Sequence, residues 1–201
     1  MSVQEQKQRL REKIWSEMEK SKVATFPLPC RGRIPNFIGA EAAAEKLRQL
    51  EEWKKAKVVF VSPDSPQQKV RENALKDGKT LIMASPRLKS GFILIDADRV
   101  KGKERWASTI KGAFKNGVKV QDFPKPDLIV EGSVAVDLQG HRLGKGGGYG
   151  DMEIEILNKK FGDIPTATTV HDIQVVEKVP FEEKDRKVSI IVTPTRVIRT
   201  L

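Results

Sequence analysis

The chain has 201 residues, 38% hydrophobic and 32% charged, and its 37 Lys+Arg against 27 Asp+Glu give a formal charge of +10. That balance describes a globular domain with a heavily charged surface, excludes a disordered polar chain, and favours anionic partners such as nucleotides, phosphorylated small molecules or nucleic acid. A single cysteine (Cys30) excludes an intramolecular disulfide, and neither a signal peptide nor a membrane span is readable in the sequence, so a cytoplasmic protein without a membrane partner is expected.

Residues 3–20 carry Val3, Leu10, Ile14 and Met18 near helical spacing and predict a helix. "TFPLPCRGRIPNF" (25–37) is an irregular connector, and "GAEAAAEKLRQLEEWKK" (39–55) predicts one helix rich in strong helix formers. A strand follows at 57–62, then a helix over 65–78 closed by Gly78. Strands are expected at 80–84 and 91–96 around a loop at 86–90, and a helix at 103–117. "DLIVEGSVAVD" (127–137) reads as one strand or as two with a kink at Gly132. A helix over 151–162 and strands at 166–170 and 188–193 complete the alternation. Short apolar strands separated by helices imply a mostly parallel sheet covered on both faces. The expectation is one α/β domain over 1–201, with residues 1–38 as a helical arm and connector packed on it.

"QGHRLGKGGGYGD" (139–151) holds six glycines between Gly140 and Gly150 and lies between a strand and a helix. A glycine-rich turn leading into a helix aims backbone N–H groups and the positive end of the helix dipole at one point, a setting for phosphate. Arg142 and Lys145 would add charge, and Asp151 is the carboxylate that Mg²⁺ beside a polyphosphate would use. The Walker A spacing is one residue short here, and a dinucleotide fingerprint from Gly144 and Gly146 meets Tyr149 where its third glycine belongs. The competing reading is a surface loop with Asp151 as the N-cap of the next helix. A second anomaly lies in the first helix: Lys7 and Arg11 share the stripe of Leu10, Ile14 and Met18. Either their stems are buried with the heads in water, or both heads reach an anion in a cleft.

"GHRLGKGGGYGD" closely resembles the G-x-R-L-G-x-G-x-G-Y-Y-D loop of 5-formyltetrahydrofolate cyclo-ligases, also called methenyltetrahydrofolate synthetases. "KQRLR" (7–11), "PDLIVEGSVAVDLQG" (126–140) and "QVVEKVPFEEKDRKVSIIVTP" (174–194) are similar to further family stretches. "RIPNFIGAEAAAEKL", "PDSPQQKVR", "SPRLKSG" and "VHDIQVV" look like signatures of the methenyltetrahydrofolate synthetase domain-containing subfamily. The resemblance implies a three-layer α/β fold of the ribose-phosphate isomerase and CoA transferase class. It also implies a ligase that uses ATP and Mg²⁺ to cyclise 5-formyltetrahydrofolate to 5,10-methenyltetrahydrofolate.

Carried onto this sequence, the resemblance gives Lys7, Arg11, Arg142, Gly144, Lys145, Gly146, Gly147, Gly148 and Tyr149 to ATP. Arg142 and Lys145 take catalytic roles, Asp151 the metal, and Tyr149 the second substrate, a reduced folate or related pterin. Apart from the resemblance, His171 follows the strand expected at 166–170 and either faces that substrate or caps a loop with Asp172. Three positions depart from the family pattern: Gly150 replaces a second tyrosine, Met152 replaces an arginine, and Gln67 and Gln68 stand where a folate-contacting glutamate is expected. Asp64 and Glu72 are the acids that could replace that glutamate. Elsewhere, Cys30 is expected to be inert and Trp15, Trp53 and Trp106 to pack helices. The alternative function is a basic RNA-associated nucleotide-binding module without folate activity, and a third is ligation on a different pterin. The expected assembly is a monomer or weak dimer.

Overall fold

The computed structural model describes residues 1–201. The chain opens with α1 (Val3–Lys20), whose first turn is capped by Ser2, its hydroxyl accepting from the Glu5 amide. After the connector come α2 (Ala40–Arg48) and α3 (Glu51–Lys55), then β1 (Val58–Val61), α4 (Gln68–Lys76), β2 (Thr80–Ala84) and β3 (Phe92–Asp96). Next are α5 (Glu104–Ala107), α6 (Ile110–Asn116), β4 (Val118–Val120), β5 (Leu128–Glu131), β6 (Ala135–Asp137) and β7 (Arg142–Leu143). The chain finishes through α7 (Tyr149–Phe161), β8 (Thr166–Thr169), β9 (Val175–Val176), β10 (Ile190–Val192) and β11 (Val197–Arg199).

Eight strands form one sheet in the order β11-β10-β8-β5-β1-β2-β3-β4. The five in the middle, β10 to β2, are parallel; β11, β3 and β4 are antiparallel additions at the edges. A small second sheet, β7-β6-β9, stands beyond it. Successive residues of a central strand point to opposite faces. Val59 and Val61 of β1 therefore join the core under α1, α2 and α4, while Phe60 joins the one under α7. Leu128 and Val130 against Ile129 repeat the pattern in β5. Burial on both faces explains why these strands read as apolar runs rather than alternations.

The α/β class and the mostly parallel sheet agree with the sequence reading; several boundaries do not. The helix expected over 39–55 is broken at Gln49 and Leu50, and Leu50 adopts an extended conformation that re-aims α3 so that Trp53 becomes buried. The helix over 103–117 is likewise two, because the Thr109 hydroxyl caps a second start by accepting from the Gly112 amide. Residues 127–137 are two strands in different sheets. Gly132 lies in the break, where a Cβ would come within 2.6 Å of Gln67 Oε1 and 2.7 Å of Ile34 Cγ2. The short strands β4, β7, β9 and β11 carry too few residues for a periodic signal.

The strand order places the site. From β1 the chain crosses to β2 on one side and later returns to β5 on the other. That reversal opens a crevice beyond the carboxyl ends of β1 and β5, the usual ligand position in such sheets.

Candidate active site

The crevice is a cleft of about 510 Å³. Its floor comes from the strand ends: Pro63, Asp64 and Ser65 after β1, Pro86 and Arg87 after β2, and Glu131 and Gly132 at the end of β5. The glycine loop and the first turn of α7 form one wall, and the N-terminal half of α1 forms the other with Lys184 and Asp185 from the closing segment. All the residues expected at ATP line this cleft, and so does Asp151.

Lys7 and Arg11 do not reach open solvent. Both residues are buried, at 6% and 8% exposure, so the reading in which their heads return to bulk water fails. Lys7 Nζ lies 2.5 Å from Asp185 Oδ2, which also accepts from the Glu182 amide. Arg11 Nε donates to the Gly144 carbonyl at 2.7 Å, tying α1 to the glycine loop. Burial holds the Arg11 guanidinium below its ordinary pKa, with Asp185 opposing. Burial would raise the Asp185 carboxyl, yet the Lys7 bond carries it below the ordinary carboxylate range. The two cations are thus held at the cleft by partners that an anion could displace.

The loop is braced at its base. Asp137 accepts from the amides of Gln139, His141 and Val179, its second oxygen sits 3.1 Å from His141 Nδ1, and the His141 ring stacks on Phe181 at 3.8 Å. From that base the chain passes through β7 to Gly148, the N-cap of α7, at φ 75°. Gly146 (φ 121°) and Gly148 occupy the left-handed region that side chains disfavour. No side chain caps α7, so its first N–H groups are free to bind an anion. Because α7 starts at Tyr149, Asp151 stands inside the first turn and is not the N-cap.

Arg142 is buried beneath the loop, its Nη1 donating to the Gly132 carbonyl at 2.6 Å and its Nη2 3.5 Å from Asp151 Oδ1. Burial alone would depress its pKa; Asp151, Glu131, Glu153 and Asp64 together more than reverse this. Its Nε has no hydrogen-bond partner. Asp151 Oδ1 also accepts from the Arg186 amide at 3.0 Å, while Oδ2 takes no bond from the protein. One carboxylate with a free oxygen beside an anion-binding loop fits Mg²⁺, which commonly takes one or two carboxylates together with phosphate oxygens and water.

Some residues stand apart from their sequence-based roles. His171, expected at the second substrate, does not line the cleft: its Nδ1 accepts from the Ile173 amide and its ring meets Phe37 edge-on at 6.1 Å. It follows β8, one strand beyond the crevice, and caps a short turn. Of the two acids proposed as replacements, Asp64 lines the cleft, whereas Glu72 is held by Lys69 and Lys76 away from it. Gln67 is spent inside the core, donating to Thr169. Trp15 and Trp53 are buried, but Trp106 is 44% exposed on the short α5. The Cys30 thiol is pushed up to about 12, mainly by burial with help from Glu19.

Two cleft residues escaped the sequence reading. Glu131 and Glu153 are buried side by side, at 1% and 4% exposure. Glu131 was visible as the one charge inside the apolar run "LIVEGSVAV"; Glu153, in an amphipathic helix, gave no such signal.

The arrangement matches a known family. The sequence profile of the 5-formyltetrahydrofolate cyclo-ligase family aligns with residues 3–194. The chain belongs to that family. It is 40% identical to the methenyltetrahydrofolate synthase domain-containing protein of Bos taurus and 38% identical to that of Homo sapiens, in each case over 96% of this chain. It covers 54% and 53% of those two proteins, so it spans about half the length of the curated relatives it matches. The 5-formyltetrahydrofolate cyclo-ligase of Escherichia coli (strain K12) shares 38% identity over a shorter stretch, 35% of this chain and 38% of its own. Among solved structures, the Aquifex aeolicus 5,10-methenyltetrahydrofolate synthetase superposes with TM-score 0.59 and 25% identity, covering 96% of this chain and 92% of that one. The Mycoplasma pneumoniae 5,10-methenyltetrahydrofolate synthetase, at 13% identity and TM-score 0.54, covers 96% and 98% and shares the fold. No helix of this family member is long and apolar enough to cross a membrane.

Proposed function

We propose that this chain is a ligase that binds Mg·ATP in the cleft and uses it to cyclise 5-formyltetrahydrofolate, or a closely related formylated pterin, to the 5,10-methenyl form. ATP would supply an activated formyl oxygen by phosphoryl transfer, after which N10 of the substrate attacks the formyl carbon and phosphate leaves. Such a reaction asks the protein for positioning and for neutralisation of charge rather than for a strong base.

The residues present suit those tasks. Lys7 and Arg11 would exchange Asp185 and the Gly144 carbonyl for phosphate oxygens, drawing α1 onto the nucleotide. Gly144, Gly146, Gly147 and Gly148 would present bare backbone to the polyphosphate at the N-terminus of α7. Lys145, exposed at the lip, would fold over it, and Arg142 would stabilise the charge that develops during transfer. Asp151 would hold Mg²⁺, and Tyr149, whose ring folds back over Gly147, would close the wall against water. The whole chain would act as one domain, since one wall of the cleft joins α1 to the closing segment and the other is the glycine loop.

The observation that carries this reading is the convergence of α1's buried cations with the glycine loop in one cleft of a cyclo-ligase family member. The RNA-associated reading rests on net charge and on the subfamily resemblance, and no feature of the cleft favours it.

Purified protein mixed with 5-formyltetrahydrofolate and Mg·ATP tests the proposal, with methenyl absorbance and ADP followed together. Equal amounts of both, absent without ATP, are expected. ADP without methenyl product, or neither, would sink the folate reading.

A further inference from the structure

Acids gather at one part of the cleft. Lys7, Arg11, Lys145 and Lys184 stand toward the glycine loop and α1 together with Asp151 and Asp185, while Asp64, Glu131 and Glu153 cluster at the strand ends around Arg142. The acids flank the topological switch point: Asp64 follows β1, Glu131 ends β5, and Glu153 reaches down from α7. The anionic tail of a nucleotide finds few donors at this end, where Asp64 and the Glu131–Glu153 pair present carboxyl oxygens. The acids do not converge closely enough to form a metal-holding group.

Glu131 adds a second observation. Its Oε1 is buried and has no hydrogen-bond partner, although the side chain lines the cleft. An acceptor left in that state is destabilising unless something supplies a donor. Arg142, the nearest cation, is already turned to the Gly132 carbonyl and toward Asp151.

The surrounding surface is partly apolar. Gly132 cannot carry a Cβ, which would come within 2.6–2.9 Å of Gln67, Ile34 and Asp64, and the neighbouring wall is Ile34, Pro63 and Pro86. Apolar residues beside a buried unpartnered acceptor suit a ring that presents N–H groups along one edge.

We propose that Glu131 is a specificity-determining residue that receives the N–H/NH₂ edge of an aminopyrimidinone ring, as found in pterins, at the deep end of this cleft. Asp64, beside Gly132 at the end of the neighbouring strand β1, reinforces the preference for donors. The inference rests on the cyclo-ligase reading only in identifying that ring as part of the second substrate.

The experiment compares calorimetric binding of 6-methylpterin with that of 6-methyllumazine, which replaces the ring amino group by a carbonyl, to the full chain and to Glu131→Gln. A site built around a buried hydrogen bond rejects the analogue lacking it, so the wild type should prefer the pterin by about tenfold or more. In Glu131→Gln that preference should collapse to within about threefold, with the ATP-induced rise in melting temperature retained. If Glu131→Gln does not fold, Glu131→Asp, which keeps the charge but withdraws it by one methylene, must weaken pterin more than lumazine. Equal affinities in the wild type, no binding of either ring, or a preference that survives at position 131 would overturn the inference. Discrimination without methenyl formation would sink the cyclo-ligase reaction and leave the inference standing; methenyl formation insensitive to Glu131 would do the reverse.

Discussion

The two ends of the cleft are built on opposite terms. At the loop end, long cationic side chains and free amides are paired with groups that an anion can replace: Asp185 for Lys7, the Gly144 carbonyl for Arg11. At the deep end, carboxyl groups are buried against one another, and one oxygen has no partner at all. The first arrangement is poised to exchange partners, and the second waits for a donor. Arg142 joins them, bonded to the strand end at Gly132 and facing acids of both regions. On the proposed reading, the loop end would take an anionic tail and the strand ends a donor-rich ring.

Removing the residue that joins the two ends should have the largest effect. Arg142→Ala deletes the buried cation from among Asp151, Glu131, Glu153 and Asp64, and a buried charge left uncompensated costs about 3–5 kcal/mol. It also takes away charge stabilisation at the loop, a loss on the order of 10²–10³ in kcat. Initial rates and a melting curve read the two losses separately. Full stability in the variant would mean that the acids rearrange freely, and the division of the cleft would then be soft.

Lys7→Met tests the exchangeable end by itself. A hydrogen bond to a charged group contributes about 1.5–3 kcal/mol, so KM for ATP should rise roughly 10- to 100-fold with a smaller change in kcat. Asp185 would be left half-satisfied, so the double variant Lys7→Met/Asp185→Asn should recover stability and not ATP affinity. Recovery of affinity would show that Lys7 only braces the closing segment.

The same contrast explains what could be read from sequence. The loop end is local: six glycines and three charged side chains within a short stretch announce a phosphate cradle, and Lys7 and Arg11 break an apolar stripe visibly. The central strands are legible for a similar reason, since burial on both faces leaves continuous apolar runs. The deep end is assembled from Asp64, Glu131 and Glu153, three residues on separate elements that only strand order brings together. His171 stays open between substrate and loop cap in the sequence by the same cause, because a histidine after a strand looks alike whether that strand borders the crevice or lies one place beyond it, and the structure shows the cap. Helix breaks at Leu50 and Thr109 were missed because propensity within a window does not register a local change of direction.

Protonation offers a third, smaller test, aimed at the deep end. The Glu153 carboxyl is raised from 4.5 to about 7, first by burial and then by Asp64, with its bond to Glu131 and the charge of Arg142 pulling the other way. Glu131 is raised well above the ordinary range, first by burial and then by Glu153. Two buried carboxyls in contact cannot both ionise cheaply. Between 4.5 and about 7 this pair therefore holds more protons in the folded chain than in the unfolded one, and its contribution to stability falls as pH rises through that window. Glu153→Gln should flatten part of the fall and stabilise the protein at pH 8 by about 1–3 kcal/mol. Denaturant melts at several pH values measure this, and an unchanged slope would place the proton elsewhere.

The smallest effect on stability, and the most specific one on rate, is expected at Gly150, where the family loop has a tyrosine. A Cβ here would lie 2.5 Å from Arg142 Nη2 and 3.0 Å from its Cζ, so the missing side chain is the space that the guanidinium fills. Gly150 is helical and has no positive φ, so alanine gains roughly 0.5–1 kcal/mol of helix propensity. Against that stands overpacking of about 1–3 kcal/mol, reduced where the crowded group can slide. Arg142 can slide only by giving up the Gly132 carbonyl at 2.6 Å. Gly150→Ala should therefore change stability by no more than about 1–2 kcal/mol while lowering kcat/KM about tenfold or more, since small displacements of a positioned group are costly. Rates and melts on one preparation decide it: a rate as high as the wild type's would mean that Arg142 works from a different position, and that its contact with Gly132 is not part of the working site.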